Sequence, residues 1–161
     1  MVAEKISFEQ LLQAVEPEHQ PYIQSLHSYL LKSGCKAAFE QKKNGPLASY
    51  KHGKPPRAVA NVLFRKSGML VRVYGENISG YGDFLNTLPQ EMAQATLASG
   101  DCKRLISGGC SPKCTGYDFK IADKHLQKCR YGCFDFLVNS QSRDYIKTFI
   151  ENELKERICA K

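Results

Sequence analysis

Apolar positions repeat at helical spacing at both ends of this chain and at strand spacing through its middle. Phe8, Leu11, Leu12 and Val15 share one helical face behind Ser7, whose capping-box partner stands at Gln10. Pro17 stops that helix and suits the first turn of a second one. In the second helix Tyr22, Ile23, Leu26, Tyr29, Leu30 and Leu31 form a broad apolar stripe, closed by Gly34. From Cys35 the period shortens. Residues 36–41, 47–51 and 58–65 read as strands, broken by Asn44-Gly45-Pro46 and Gly53-Lys54-Pro55-Pro56. The turn Arg65-Lys66-Ser67-Gly68 folds residues 59–64 against 69–74 as a hairpin.

Tyr74 to Gly82 is a glycine-rich connector, and Asp83 to Asn86 suits a short helical turn. Thr87 and Gln90 have capping-box spacing, which predicts a helix with Pro89 in its first turn and its end near Gly100. Residues 117–121 alternate, turn at Ala122-Asp123-Lys124 and return along 125–129; residues 134–138 alternate again. Asn139 or Ser140 then caps a final helix with the stripe Tyr145, Ile146, Phe149, Ile150 and Leu154. Helices at both ends around short strands predict one α+β domain over 1–161. Its sheet is mostly antiparallel, packed by two N-terminal helices, a middle helix and a C-terminal helix.

At 161 residues the chain has ordinary proportions for a soluble domain, 42% hydrophobic and 24% charged. Its start lacks the apolar run of a signal peptide and no stretch is long enough to span a bilayer, so a cytoplasmic protein is expected. The net charge is +7 and sits in one place. Residues 36–72 hold nine lysines and arginines against Glu40 alone. Such a segment attracts an anionic small molecule, an acidic partner or nucleic acid, with Lys51, Arg57, Arg65 and Arg72 as candidate contacts, or it is simply a solvated face.

Five of the seven cysteines fall between Cys102 and Cys133. Cys110 and Cys114, then Cys129 and Cys133, make two pairs of equal spacing flanking the predicted hairpin. Antiparallel pairing brings strand starts beside strand ends, so the two pairs are expected to meet at one end of that hairpin as a zinc site. Cys102 is the reserve ligand and His125 the next. Gly108, Gly109, Pro112, Gly116 and Gly132 provide sharp turns, and Lys113, Lys128 and Arg130 would offset the charge of a four-thiolate centre. A reducing compartment favours metal over disulfides, and the odd cysteine count agrees. Buried unligated thiols and redox chemistry remain open readings.

Other candidates are weaker. Cys35, after a helix end, reads as a buried structural residue; Cys159 lies near the terminus. His19 and His27 have no carboxylate at metal spacing and read as surface or packing residues. Tyr50-Lys51-His52 lacks the partners of a general acid or base. Tyr74 and Tyr81 in the glycine-rich connector suit a ligand lip, a base-stacking platform or a core edge. No phosphate-binding glycine pattern and no complete catalytic constellation is present, so an enzyme is the less expected class.

Two N-terminal helices, then Phe39-Glu40-x-Lys42-Lys43-x-Gly45 leading into strands and a hairpin, resemble the YdhG-like family of small bacterial proteins over residues 20–150. The resemblance implies a curved antiparallel sheet with a concave face. Some members of that family are connected with intracellular iron handling, and most have no assigned function. The cysteine cluster and the basic 36–72 segment depart from it, so neither an acidic iron-binding face nor any functional residue transfers. The expectation is a binding domain with a structural zinc and a basic face. A thiol-based redox enzyme or sensor and a nucleic-acid-binding module are the alternatives.

Overall fold

A computed structural model describes residues 3–111, 114, 116–129 and 131–160. Pro112, Lys113 and Arg130, named above for turns and charge, lie outside the described residues. The fold is α+β. Its main sheet has six antiparallel strands in the order β1-β2-β3-β4-β5-β8: β1 (Glu4–Lys5), β2 (Lys36–Lys42), β3 (Gly45–His52), β4 (Arg57–Arg65), β5 (Gly68–Val73) and β8 (Phe134–Leu137). A separate hairpin pairs β6 (Tyr117–Ile121) with β7 (Lys124–Lys128). The helices are α1 (Phe8–Gln13), α2 (Gln20–Lys32), α3 (Gly82–Leu85), α4 (Gln90–Ala98), α5 (Lys103–Ile106) and α6 (Arg143–Cys159). Among the described residues no helix is long and apolar enough to cross a membrane.

Local chemistry sets the boundaries. Ser7 Oγ accepts from Gln10 N–H at 3.2 Å while Ser7 N–H donates to Gln10 Oε1 at 2.8 Å, which is the reciprocal box that starts α1. A turn of 3-10 helix over Pro17–His19 leads into α2. Gly34, at φ +85°, ends α2: its N–H reaches Leu31 O and the Cys35 N–H reaches Leu30 O. This double closure needs a left-handed residue, hence glycine. Two expected caps differ. Thr87 Oγ1 donates to Phe84 O and caps nothing; α4 begins after Pro89. Asn139 Oδ1 accepts from the N–H groups of Gln141 and Ser142, so it orders the turn before α6 and leaves Ser142 as the N-cap.

Strand alternation gives the sheet two unlike faces. Ala48, Tyr50, Ala60, Val62, Val71, Val73, Phe134 and Phe136 are buried on one face. There α1 packs on β3, α6 on β4 and β5, and α4 on β8. Phe149 of α6 meets the rings of Tyr81, Phe84, Phe134 and Phe136 at centroid distances of 5.7–5.8 Å. The β6–β7 hairpin joins the same core, with Phe119 edge-on to Phe134 at 5.7 Å and Ile121 and Leu126 buried. The other face is half-open and carries Ser49, Asn61, Arg72 and Asp135.

Candidate functional site

The cysteine segment is assembled on the hairpin. Tyr117 pairs with Lys128, which brings the chain before β6 beside the chain after β7. Residues 101–102 are drawn alongside β7, because Gln127 N–H donates to Asp101 Oδ1 at 2.8 Å and Cys102 N–H donates to Gln127 O at 2.7 Å. Two tight turns hold the remaining thiols: Cys114 N–H to Ser111 O at 2.8 Å, and Gly132 N–H to Cys129 O at 2.7 Å. Gly116, at φ +65°, admits no side chain. A Cβ there would stand 2.5 Å from Leu105 Cδ2 and 2.9 Å from Lys128 O.

Four sulfurs converge in this framework, as two pairs. The Cys102 and Cys129 thiols hydrogen-bond to each other, and so do those of Cys110 and Cys114. Each pair acts electrostatically on the other, Cys110 with Cys102 and Cys129 with Cys114. Backbone N–H groups point at three of the sulfurs: Leu105 and Arg104 at Cys102, Ser111 at Cys110 and Tyr131 at Cys129. Such donors favour the thiolate. They hold the half-buried Cys102 thiol below its ordinary value, led by Leu105. The Cys110 thiol is pushed up, first by its bond with Cys114, and Cys129 is pushed up by burial. No three of these sulfurs lie mutually within 4.8 Å among the described residues. A single ion would therefore draw the two pairs together, since thiolates about 2.3 Å from a tetrahedral zinc stand closer than that.

The thiols that pair here include Cys102, and Cys133 of the expected set stands in a different setting. Cys133 precedes Phe134 on β8, and the alternation that buries Phe134 and Phe136 sends Cys133 and Asp135 to the half-open face. Arg72 is there, donating to both Asp135 oxygens at 2.6 and 2.8 Å. Burial raises the Cys133 thiol while Arg72 opposes it, and the cysteine acting on it is Cys129. Cys102, the reserve ligand, is the one paired with Cys129. His125 pairs with Asp118 at 2.9 Å, near the opposite end of β7. Lys128 is buried beneath the cluster, donates to Ser99 O at 2.9 Å and lies over the Phe134 ring. Burial lowers its pKa, and the thiols of Cys133, Cys102 and Cys129 counter that.

The remaining candidates separate cleanly. Cys35 is buried, and burial pushes its thiol up to about 11. Cys159 is exposed at the end of α6. His27 stacks on Phe8 at 3.8 Å and hydrogen-bonds the Tyr50 hydroxyl at 3.0 Å, so it is a packing residue. His19 does meet carboxylates: its ring lies within 4.8 Å of Glu16 and Glu18, a proximity made by the 3-10 turn and invisible to helical spacing. Both glutamates are exposed.

The four candidate cations divide between two cavities. Lys51 and Arg57 line one of about 860 Å³, at the β3–β4 turn beside Tyr74, Tyr131 and Arg157. Arg65 and Arg72 line another of about 360 Å³. Arg57 is paired with Glu76 at 2.7 Å and Arg72 with Asp135, so two of the four charges are already answered.

Under the larger cavity lies a buried ionic network. Glu153, with no exposed surface, accepts from Asn77 N–H at 3.2 Å, Asn77 Nδ2 at 3.0 Å, Tyr81 Oη at 2.5 Å and Arg157 Nε at 2.9 Å. The other guanidinium nitrogens of Arg157 donate to the carbonyls of Arg57, Ala58 and Tyr74. The Tyr117 hydroxyl is buried without a hydrogen-bond partner among the described residues, within the fields of Glu153, Cys129, Cys133 and Glu76. The sequence does signal this network. Glu153 continues the apolar stripe of Ile146, Phe149 and Ile150, and Arg157 follows it by four residues. Comparison with protein-family models, with curated proteins and with solved structures finds no match to this chain.

Proposed function

We propose that this protein is a non-enzymatic, cytoplasmic binding domain whose hairpin is fastened by one zinc ion and whose basic surface takes an anionic ligand. The observation that carries the metal reading is the convergence of Cys102, Cys110, Cys114 and Cys129, three of them with backbone N–H groups aimed at sulfur. Soft thiolates suit zinc, which accepts any tetrahedral arrangement the chain imposes. The hairpin buries only Phe119, Ile121, Leu126 and Lys128, so a metal clip adds order where the core is thin. Metal analysis of protein purified without chelator tests this: one equivalent of zinc per chain is expected. Less than about a tenth of an equivalent of any metal, in protein with all thiols reduced, removes the reading.

A second reading has its own support. The sulfurs are arranged two by two, as a dithiol that closes to disulfides would have them. Thiol titration before and after mild peroxide separates the two. A redox protein loses four thiols reversibly, whereas a zinc-loaded one releases metal in step with any loss.

A further inference from the structure

The cavity of about 860 Å³ falls within the roughly 300–1,000 Å³ of small-molecule sites. Its parts differ in kind. The floor is the Arg157 side chain, only 7% exposed and committed to Glu153 and three carbonyls. Arg157 is thus a post that fixes the start of β4 and the residue after β5 against α6, with four of its five N–H donors already committed. Lys51 and Lys54 are exposed at the mouth and make no ion pair among the described residues. Arg57 is 42% exposed and reaches Glu76, whose carboxylate also stands 3.8 Å from Arg157 Nε. Tyr74 and Tyr131 add two aromatic rings, Tyr131 being 70% exposed.

Exposed cations recognise a phosphate, and exposed tyrosine faces recognise a flat ring. A shielded carboxylate accepts from a hydroxyl or amino group joining the two. We propose that this cavity binds a phosphorylated small molecule bearing a planar ring, of nucleoside monophosphate size. Lys51, Lys54 and Arg57 meet the phosphate, Tyr131 covers the ring and Glu76 accepts from a ligand donor. The inference rests on the anion-binding half of the proposed function and not on the metal.

Isothermal titration of the full chain as purified with AMP, GMP and CMP at low salt tests it, with adenosine and inorganic phosphate as separate arms. The expected result is binding tighter than about 1 mM for at least one nucleotide, and weaker binding in both other arms. The double variant K51E/K54E weakens that nucleotide at least tenfold. Tyr131→Ala weakens the nucleotide and leaves phosphate unchanged, and Lys66→Glu, in the distant β4–β5 turn, changes neither. A nucleotide no tighter than phosphate overturns the planar-ring claim and leaves an anion site standing. Absence of binding in every arm, or full affinity in K51E/K54E protein of normal thermal stability, overturns both while the zinc analysis stands apart. An oligonucleotide that binds more tightly than any nucleotide and is weakened by Lys66→Glu shows an extended surface, and the small-molecule claim falls.

Discussion

Cys102 and Cys133 offer the sharpest contrast between single residues. Both flank the hairpin, but Cys102 shares a thiol hydrogen bond with Cys129 whereas Cys133 faces the Arg72–Asp135 pair. Cys102→Ser should lose the bound zinc on gel filtration, and Cys133→Ser should keep a full equivalent; the opposite pattern restores the evenly spaced pairs as the ligand set. His27 gives a pH prediction. Burial against Phe8 and Tyr50 lowers its pKa below the ordinary value of about 6.5. Its neutral form is the one the fold accepts, so its contribution is fully present above that ordinary value. It is lost as pH falls, because the unfolded chain takes up the proton first. His27→Gln should flatten the fall in stability between neutral and mildly acid pH, read from urea midpoints at each pH. An unchanged slope assigns the acid sensitivity elsewhere.

At the scale of elements, the hairpin is the part that the proposed metal clip would order most. The main sheet is backed by α1, α4 and α6, while β6 and β7 form a ladder of two strands, marginal by itself in water. Chelation should raise amide exchange across 117–128 at least tenfold and leave β3, β4 and β5 protected, as read by hydrogen-exchange mass spectrometry. Uniform exchange in both regions would mean that no ion orders the hairpin. Much of this layout was legible in the sequence. The alternation of residues 59–64 and 69–74 around a four-residue turn dictates the β4–β5 pairing, and Tyr117 to Lys128 dictates the second hairpin. What was not legible depends on long-range contact. Strand β1 has two residues, and only its pairing with Gln41 and Glu40 makes it a strand. Helix α5 is four residues long, with no periodicity to read. The separation of Cys133 toward the Arg72–Asp135 side follows from the face on which β8 is buried, and equal spacing concealed that.

Across the whole molecule, stability gathers at Glu153. One carboxylate joins α6 to the Asn77 backbone and to Tyr81, and through Arg157 to both β4 and β5. Removing it leaves a guanidinium of 7% exposure without its nearest carboxylate, Glu76 standing off at 3.8 Å, a kind of change that costs up to about 3–5 kcal/mol. Glu153→Ala should therefore lower the urea midpoint with little change in slope, and the metal content of the folded fraction should stay the same. A loss below about 1 kcal/mol would mean that water enters and replaces the carboxylate.

Val73 and Phe134 are partners across the β5–β8 ladder, although sixty residues of chain run between them. That long excursion leaves the open sheet and returns to the very position it left, like a purse hung from a rail. Its connector and short helices return Ile78, Tyr81, Leu85 and Met92 to the common core, so the excursion is anchored at its near side and thin only at the cysteine hairpin. Under the proposed metal reading, damage to the cysteines loosens the far side of that excursion and spares the β5–β8 ladder from which it hangs.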